Sequence, residues 1–291
     1  MRWIPSRAKK EENQIVTIFT LASGRSGTQF LYNLFRLNAI DCVSVHEPLN
    51  PFNPDMFGRA IYDHTTGNYD QIRRRLIRKQ RTIARYRSSF YLESSHSFLK
   101  SYYDLALEFF PNTKLIHLVR NPLKVVRSLV NRTTRIHQMR LPGRYYRGGD
   151  GRRYYRWSLT GLEPIYKGFD VERLTLSERH VIQWIEIENR AISFLRDSGK
   201  EGDCITMETP STFNDKDQIG AMFRFLGVST RHPEIRLPAR KHATVFTPTV
   251  VTEEDRFIFR KIAKELPPHY LEIFTQPPYR NFEWVELLLP Y

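Results

Sequence analysis

Cysteine is almost missing: Cys42 and Cys204 are the only two in 291 residues. No disulfide framework can be built from such a pair, and a reducing, cytoplasmic setting is the expectation. Also missing is any run of about 18 apolar residues, so no membrane span is expected. Residues 1–14 are polar, carry Arg2, Arg7, Lys9 and Lys10, and contain no apolar run, which argues against a secretory signal. No internal repeat and no domain boundary stands out. Acidic residues are in deficit, with 31 Asp and Glu against 45 Lys and Arg and a net charge of +14. Arginine dominates the excess, and its planar fork pairs with phosphate, sulfate and carboxylate oxygens. A small anionic ligand, an anionic acceptor or nucleic acid would each fit, and charge alone does not separate them.

What is present is an ordinary globular composition, 41% hydrophobic and 26% charged, on a chain long enough for one large α/β domain. Residues 14–21 (QIVTIFTL) read as a buried strand. A small-residue turn follows, then residues 28–38, with Phe30, Leu31, Leu34, Phe35 and Leu37 at helical spacing. A short strand is expected at 41–45, a proline-rich loop at 46–54, a basic helix at 69–87, a helix at 102–110 and a strand at 114–119. Pro122 opens the next helix, expected to run to about residue 130. Residues 133–169, rich in Arg, Tyr and Gly, read as a long irregular insertion of the kind that handles substrate. Helices at 176–195, 217–226 and 253–266 and a strand at 203–207 complete the chain. Strand, turn and helix in repetition predict a single α/β domain, a parallel sheet flanked by helices. Residues 14–132 form its ligand-binding core, 133–169 the insertion and 170–291 the C-terminal part of the same domain.

Two motifs carry chemistry. Ser23-Gly24-Arg25-Ser26-Gly27-Thr28 lies between a strand and a helix, where backbone N–H groups and the helix N-terminus converge on an anion. The nucleoside-triphosphate loop ends in Gly-Lys-Ser/Thr; here no lysine follows Gly27 and Ala22 replaces the first glycine. The second motif is Leu118-Val119-Arg120-Asn121-Pro122, with Ser128 eight residues after Arg120 (128 − 120). Arg120 ends a strand and can fork onto a phosphate, and Ser128 lies two turns along the next helix.

Arg25-Ser26-Gly27-Thr28 followed by Leu31 resembles the 5′-phosphosulfate loop of sulfotransferases that use 3′-phosphoadenosine 5′-phosphosulfate (PAPS). It resembles the arginine form of many carbohydrate and tyrosyl-protein members. The second motif resembles the family's 3′-phosphate element. The resemblance implies a P-loop-like fold, PAPS as co-substrate, 3′-phosphoadenosine 5′-phosphate (PAP) as product, and no metal. It implies that Arg25 meets the 5′-phosphate and bridging oxygen, with Ser26, Gly27, Thr28 and Gln29 as further donors. Arg120 and Ser128 would take the 3′-phosphate, with Arg240 and Lys241 as a late cationic contact. Residues 205–227 resemble the family's later strand and Phe-Leu-Gly region, with Met207 where tyrosine is frequent.

Two side chains compete to remove the acceptor proton. Glu47, in His46-Glu47-Pro48-Leu49, resembles the Glu-Pro-Leu segment of carbohydrate members; His96 resembles the histidine of aryl and steroid members. Glu47 is ranked first because its parallel belongs to branches sharing the arginine loop. Its competing role is a structural partner for arginine; that of His96 is a polar loop residue. Lys100 or Arg127 would add charge stabilisation. The expected reaction is sulfuryl transfer to a hydroxyl or amine of a carbohydrate or small molecule. The alternatives are a P-loop kinase and a non-catalytic nucleic-acid binder. Oligomeric state is left open.

Overall fold

Strands β1 (Val16–Ala22) and β4 (Thr113–Val119) are apolar and almost wholly buried, as the inner strands of a parallel sheet require. The protein is described here from a computed structural model, which covers residues 15–48, 51–139, 143–239 and 250–288. In chain order, β1 (Val16–Ala22) leads into α1 (Thr28–Asn38) and β2 (Cys42–Val45). Helices α2 (Arg59–Thr65) and α3 (Tyr69–Ile83) follow, then β3 (Phe90–Glu93), two single turns α4 (Phe98–Ser101) and α5 (Ala106–Phe109), and β4 (Thr113–Val119). Next come α6 (Pro122–Gln138), a hairpin of β5 (Tyr145–Arg147) and β6 (Arg153–Tyr155), α7 (Leu176–Ser198) and β7 (Cys204–Glu208). Helices α8 (Lys216–Leu226), α9 (Glu253–Glu265) and α10 (Glu283–Leu288) close the domain.

The sheet order is β2-β3-β1-β4-β7, every neighbouring pair parallel. Side chains alternate between its faces: Phe19 and Leu21 of β1 join one core with α2–α7 and α9, while Ile18 and Ala22 join the other with α1 and α8. This is the single α/β domain expected from the alternating strand and helix pattern. Cys42 and Cys204 are free and sit on opposite edge strands, four strand spacings or about 19 Å apart, too far to pair.

Four local expectations change. Strand β3 lies inside the sheet, between β2 and β1, where no strand is expected; it is only four residues long, too short to show a period. The helix expected at 102–110 is broken, because Tyr102 leaves helical geometry (φ −158°) to seat its ring against Phe19 and Phe98. The basic helix stops at Ile83. Helix α6 runs eight residues beyond the expected end, so residues 133–138 belong to it rather than to an irregular insertion. Much of the remaining insertion is ordered by core contacts, with Trp157, Leu159, Ile165 and Tyr166 buried.

Candidate active site

From β1 the chain passes first to β2 at one edge and later to β4 and β7 on the other side. A crevice forms outside the carboxyl ends of strands where the order reverses in this way. The loops after all five strands gather there. A separate surface hollow, lined by residues such as Ile15, Asp41, Arg81 and Asn112, opens at the opposite, N-terminal ends of the strands.

The loop after β1 turns through left-handed backbone at Gly24 (φ 97°), Arg25 (φ 57°) and Gly27 (φ 100°). Gly27 caps α1 with no side-chain hydrogen bond, so the first N–H groups of α1 are not claimed by a capping side chain. A Cβ on Gly27 would come within 2.4 Å of the Phe213 ring, which itself stacks on Phe30 at 4.6 Å. A Cβ on Gly24 would meet the His96 ring at 3.3 Å, so this glycine lets the loops after β1 and β3 close on each other.

The two phosphate motifs touch. Arg25 Nε donates to Ser128 Oγ at 2.9 Å, and Arg120 Nη1 donates to the Arg25 carbonyl at 2.6 Å. Asn121 caps α6 by accepting from Leu123 N, and Pro122 supplies its first turn. Around this junction Ser23 Oγ, Ser26 Oγ and Arg120 Nε are buried without hydrogen-bond partners among the described residues. Burial, then the charges of Arg132 and Arg120, lower the Arg25 pKa; burial alone lowers that of Arg120. Thr28 is buried and Gln29 half-buried in the first turn of α1. Thr209, after β7, donates from Oγ1 to the Ser26 carbonyl at 2.9 Å and from N to the Val119 carbonyl at 2.7 Å. It locks the anion loop to β4, and a lone threonine after a strand gave no sequence signal of this.

The two rival bases are neighbours: His96 Nε2 lies 3.4 Å from Glu47 Oε1. Glu47 also stands in left-handed backbone (φ 43°), an uncommon state for a non-glycine residue. Burial works to raise the Glu47 pKa. The His96 hydrogen bond and the charges of His96, His46 and Arg132 outweigh it and hold the carboxyl at about 2. His96 is 4% exposed; burial and then the Lys100 charge push its pKa down to about 4, against the pull of Glu47. Lys100 Nζ donates to His96 Nδ1 at 3.0 Å and to the Trp157 carbonyl at 2.7 Å. A neutral His96 therefore accepts at Nδ1 and donates from Nε2 toward Glu47. Burial brings the Lys100 ammonium down to about 7.

Other expected residues stand elsewhere. Arg127 is committed to Asp255 of α9, at 2.7 and 3.1 Å, and not to the crevice. Met207 is buried in the core against α1 and α8. Arg240 and Lys241 lie outside the described residues. Among the described residues no three His, Cys, Asp or Glu side chains gather as a metal site, and no helix is long and apolar enough to cross a membrane.

No family model and no curated protein sequence matches the chain. Among solved structures it is similar to the sulfotransferase domain from the curacin biosynthetic pathway, at 14% identity and TM-score 0.44, covering 87% of this chain and 99% of that one. It is similar to a sulfotransferase from Alicyclobacillus acidocaldarius, at 16% identity and TM-score 0.45, covering 89% and 98%. It is also similar to the sulfotransferase domain of the Synechococcus PCC 7002 olefin synthase, at 13% identity and TM-score 0.42, covering 87% and 95%. A likeness of this degree assigns neither donor, acceptor nor catalytic residue.

Proposed function

We propose that the chain is a sulfotransferase that moves a sulfuryl group from PAPS to a hydroxyl or amine of a carbohydrate or small-molecule acceptor. One observation carries this reading. The anion loop after β1 and the start of α6 are hydrogen-bonded to each other through Arg25, Arg120 and Ser128, with three buried polar atoms left unpartnered around them. Two cationic elements so close suit a ligand with two phosphates on one nucleoside. The loop lacks the lysine of a triphosphate site, which disfavours a kinase.

In this reading Arg120 and Ser128 hold the 3′-phosphate. Arg25 and the open N-terminus of α1, through Ser26, Gly27, Thr28 and Gln29, hold the 5′-phosphate. Arg25 then sits where negative charge grows as the sulfur–oxygen bond breaks and the bond to the acceptor forms, the position at which a fixed donor contributes most. Glu47 accepts the acceptor proton. His96 orients that carboxylate, and Lys100 fixes the tautomer of His96. The test is transfer of labelled sulfate from PAPS to acceptor mixtures, together with calorimetric titration by PAP. Saturable PAP binding and PAPS-dependent labelling are expected. Preference for ATP over PAP would overturn the reading.

A further inference from the structure

Arginines also crowd the wall of the crevice built by the segment after the β5–β6 hairpin. Three guanidinium groups approach the buried ring of Trp157: Arg132 at 4.9 Å, Arg144 at 5.1 Å and Arg156 at 5.8 Å. Arg156 is paired with Asp55. Arg132 and Arg144 form no close ion pair among the described residues, although each is half-buried and Arg132 acts on the Glu47 carboxylate from a greater distance. Two like charges gathered on one indole ring repel each other. The ring's quadrupole returns only part of that cost.

Their position says what the charge faces. Arg132 stands four residues beyond Ser128, one turn along the same face of α6. Its charge bears on Arg25, Glu47, His96 and Lys100 together, which places it beside the reacting centre rather than on the outer surface. Tyr155, at the end of β6, lies within the influence of Arg132 and Arg144; the Thr133 side chain stands beside its buried oxygen as a donor, which leaves the phenol's own hydrogen to turn toward a ligand. Lys100 ties the wall to the base cluster through the Trp157 carbonyl.

We infer that Arg132, Arg144 and the Tyr155 hydroxyl form a subsite for an anionic group on the acceptor, and that the acceptor is a hydroxy acid rather than a neutral alcohol. Two guanidinium forks and one phenol are the donor set a carboxylate takes. Phosphate binding occupies Arg25, Arg120 and Ser128 in the proposed function, and PAP carries no sulfuryl group, so an anion bound here beside PAP belongs to the other substrate. The inference rests on that reading for the word acceptor, and on the arginine cluster alone for the anion.

The test uses the full chain saturated with PAP and two matched ligand pairs: glucuronate against glucose, and 4-hydroxyphenylacetate against 2-(4-hydroxyphenyl)ethanol. Binding is read by saturation-transfer NMR and calorimetry. The carboxylate member of at least one pair is expected to bind ten times more tightly than its neutral counterpart. The pair showing the preference tells a uronic acid from an aromatic acid. Arg132→Gln with Arg144→Gln should erase the preference and change PAP affinity less than threefold. A preference that survives the double substitution overturns the subsite. So does equal binding within both pairs, or no binding by any of the four. Failure of PAP itself to bind the wild type would strike the proposed function instead. The carboxylate preference and its loss in the double variant would then be read on the chain without nucleotide.

Discussion

Arg25 Nε donates to Ser128 Oγ across 103 residues of sequence, at 2.9 Å. This bond joins the loop after β1 to α6 and uses only Nε of Arg25 and an acceptor lone pair of Ser128, so the Arg25 Nη groups and the Ser128 hydroxyl hydrogen are the donors each residue would turn to its own phosphate. In the proposed function Arg25 is the donor nearest the developing charge. Arg25→Ala is expected to lower kcat by roughly 10²–10³, the loss of one preorganised donor. The measurement is PAPS turnover on a variant whose Tm is checked in parallel. Activity within tenfold of the wild type would remove Arg25 from the chemistry.

Under the proposed function Arg120 and Ser128 are expected to separate two nucleotides. Charge-assisted hydrogen bonds contribute about 1.5–3 kcal/mol each, so Arg120→Ala and Ser128→Ala should weaken PAP binding by roughly 10- to 100-fold. Adenosine 5′-monophosphate lacks the 3′-phosphate, and its affinity should change much less. Calorimetry with both ligands decides. Equal losses for the two would mean that these residues hold the loop rather than the phosphate.

Much of this arrangement was legible before any coordinates. The α1 range is the same to the residue, because Phe30, Leu31, Leu34 and Phe35 recur at helical spacing behind a glycine turn. Strands β1 and β4 were placed to within two residues by their β-branched runs. The hidden parts share one cause: their identity is tertiary. Strand β3 has four residues between serine pairs, and only its pairing with both β1 and β2 makes it central. Thr133 and the residues after it look polar and irregular, yet α7 packs on α6 and buries Thr133 beside His180. Arg132 had a readable signal, four residues after Ser128, but was submerged among many arginines. Glu47 and His96 stand as rivals in the sequence because it does not show that two loops 49 residues apart meet.

Beneath the crevice Lys79 is wholly buried, with Nζ 2.6 Å from Glu93 Oε2 and 2.8 Å from Asn53 Oδ1. Tyr91 donates to the same carboxylate at 2.7 Å. Glu93 ends β3 immediately before Ser94 and His96, so this pair anchors the loop that carries His96. Lys79→Ala leaves a carboxylate buried without its charge partner and should cost about 3–5 kcal/mol, read as a fall in the urea midpoint. Lys79→Met combined with Glu93→Leu removes both charges and should be less destabilised than Lys79→Ala. A single variant as stable as the wild type would show that Tyr91 and Tyr102 suffice for Glu93.

The proton is the final question, and the contact between Glu47 and His96 turns it into a pH experiment. A carboxyl held at about 2 is ionised throughout the neutral range and is a weak base, so Glu47 should contribute near the lower end of the usual ~10²–10⁴-fold. Glu47→Gln is accordingly expected to lower kcat about 100-fold with PAP affinity nearly intact. His96→Asn should cost less, but it removes the hydrogen bond and the charge that hold Glu47 down, so the carboxyl should rise toward its ordinary value of 4.5. The wild-type rate should then be flat between about pH 5 and 7, and that of His96→Asn should bend downward as pH falls toward 5. Stability must be followed over the same range, and its sign is fixed. Both groups have folded pKa values below their ordinary ones, about 2 against 4.5 and about 4 against 6.5, so the unfolded chain binds more protons in those windows. Folding should weaken as pH drops below 6.5 and further below 4.5. If instead His96→Asn abolishes turnover at every pH while Glu47→Gln retains it, the histidine takes the proton and Glu47 is its orienting partner.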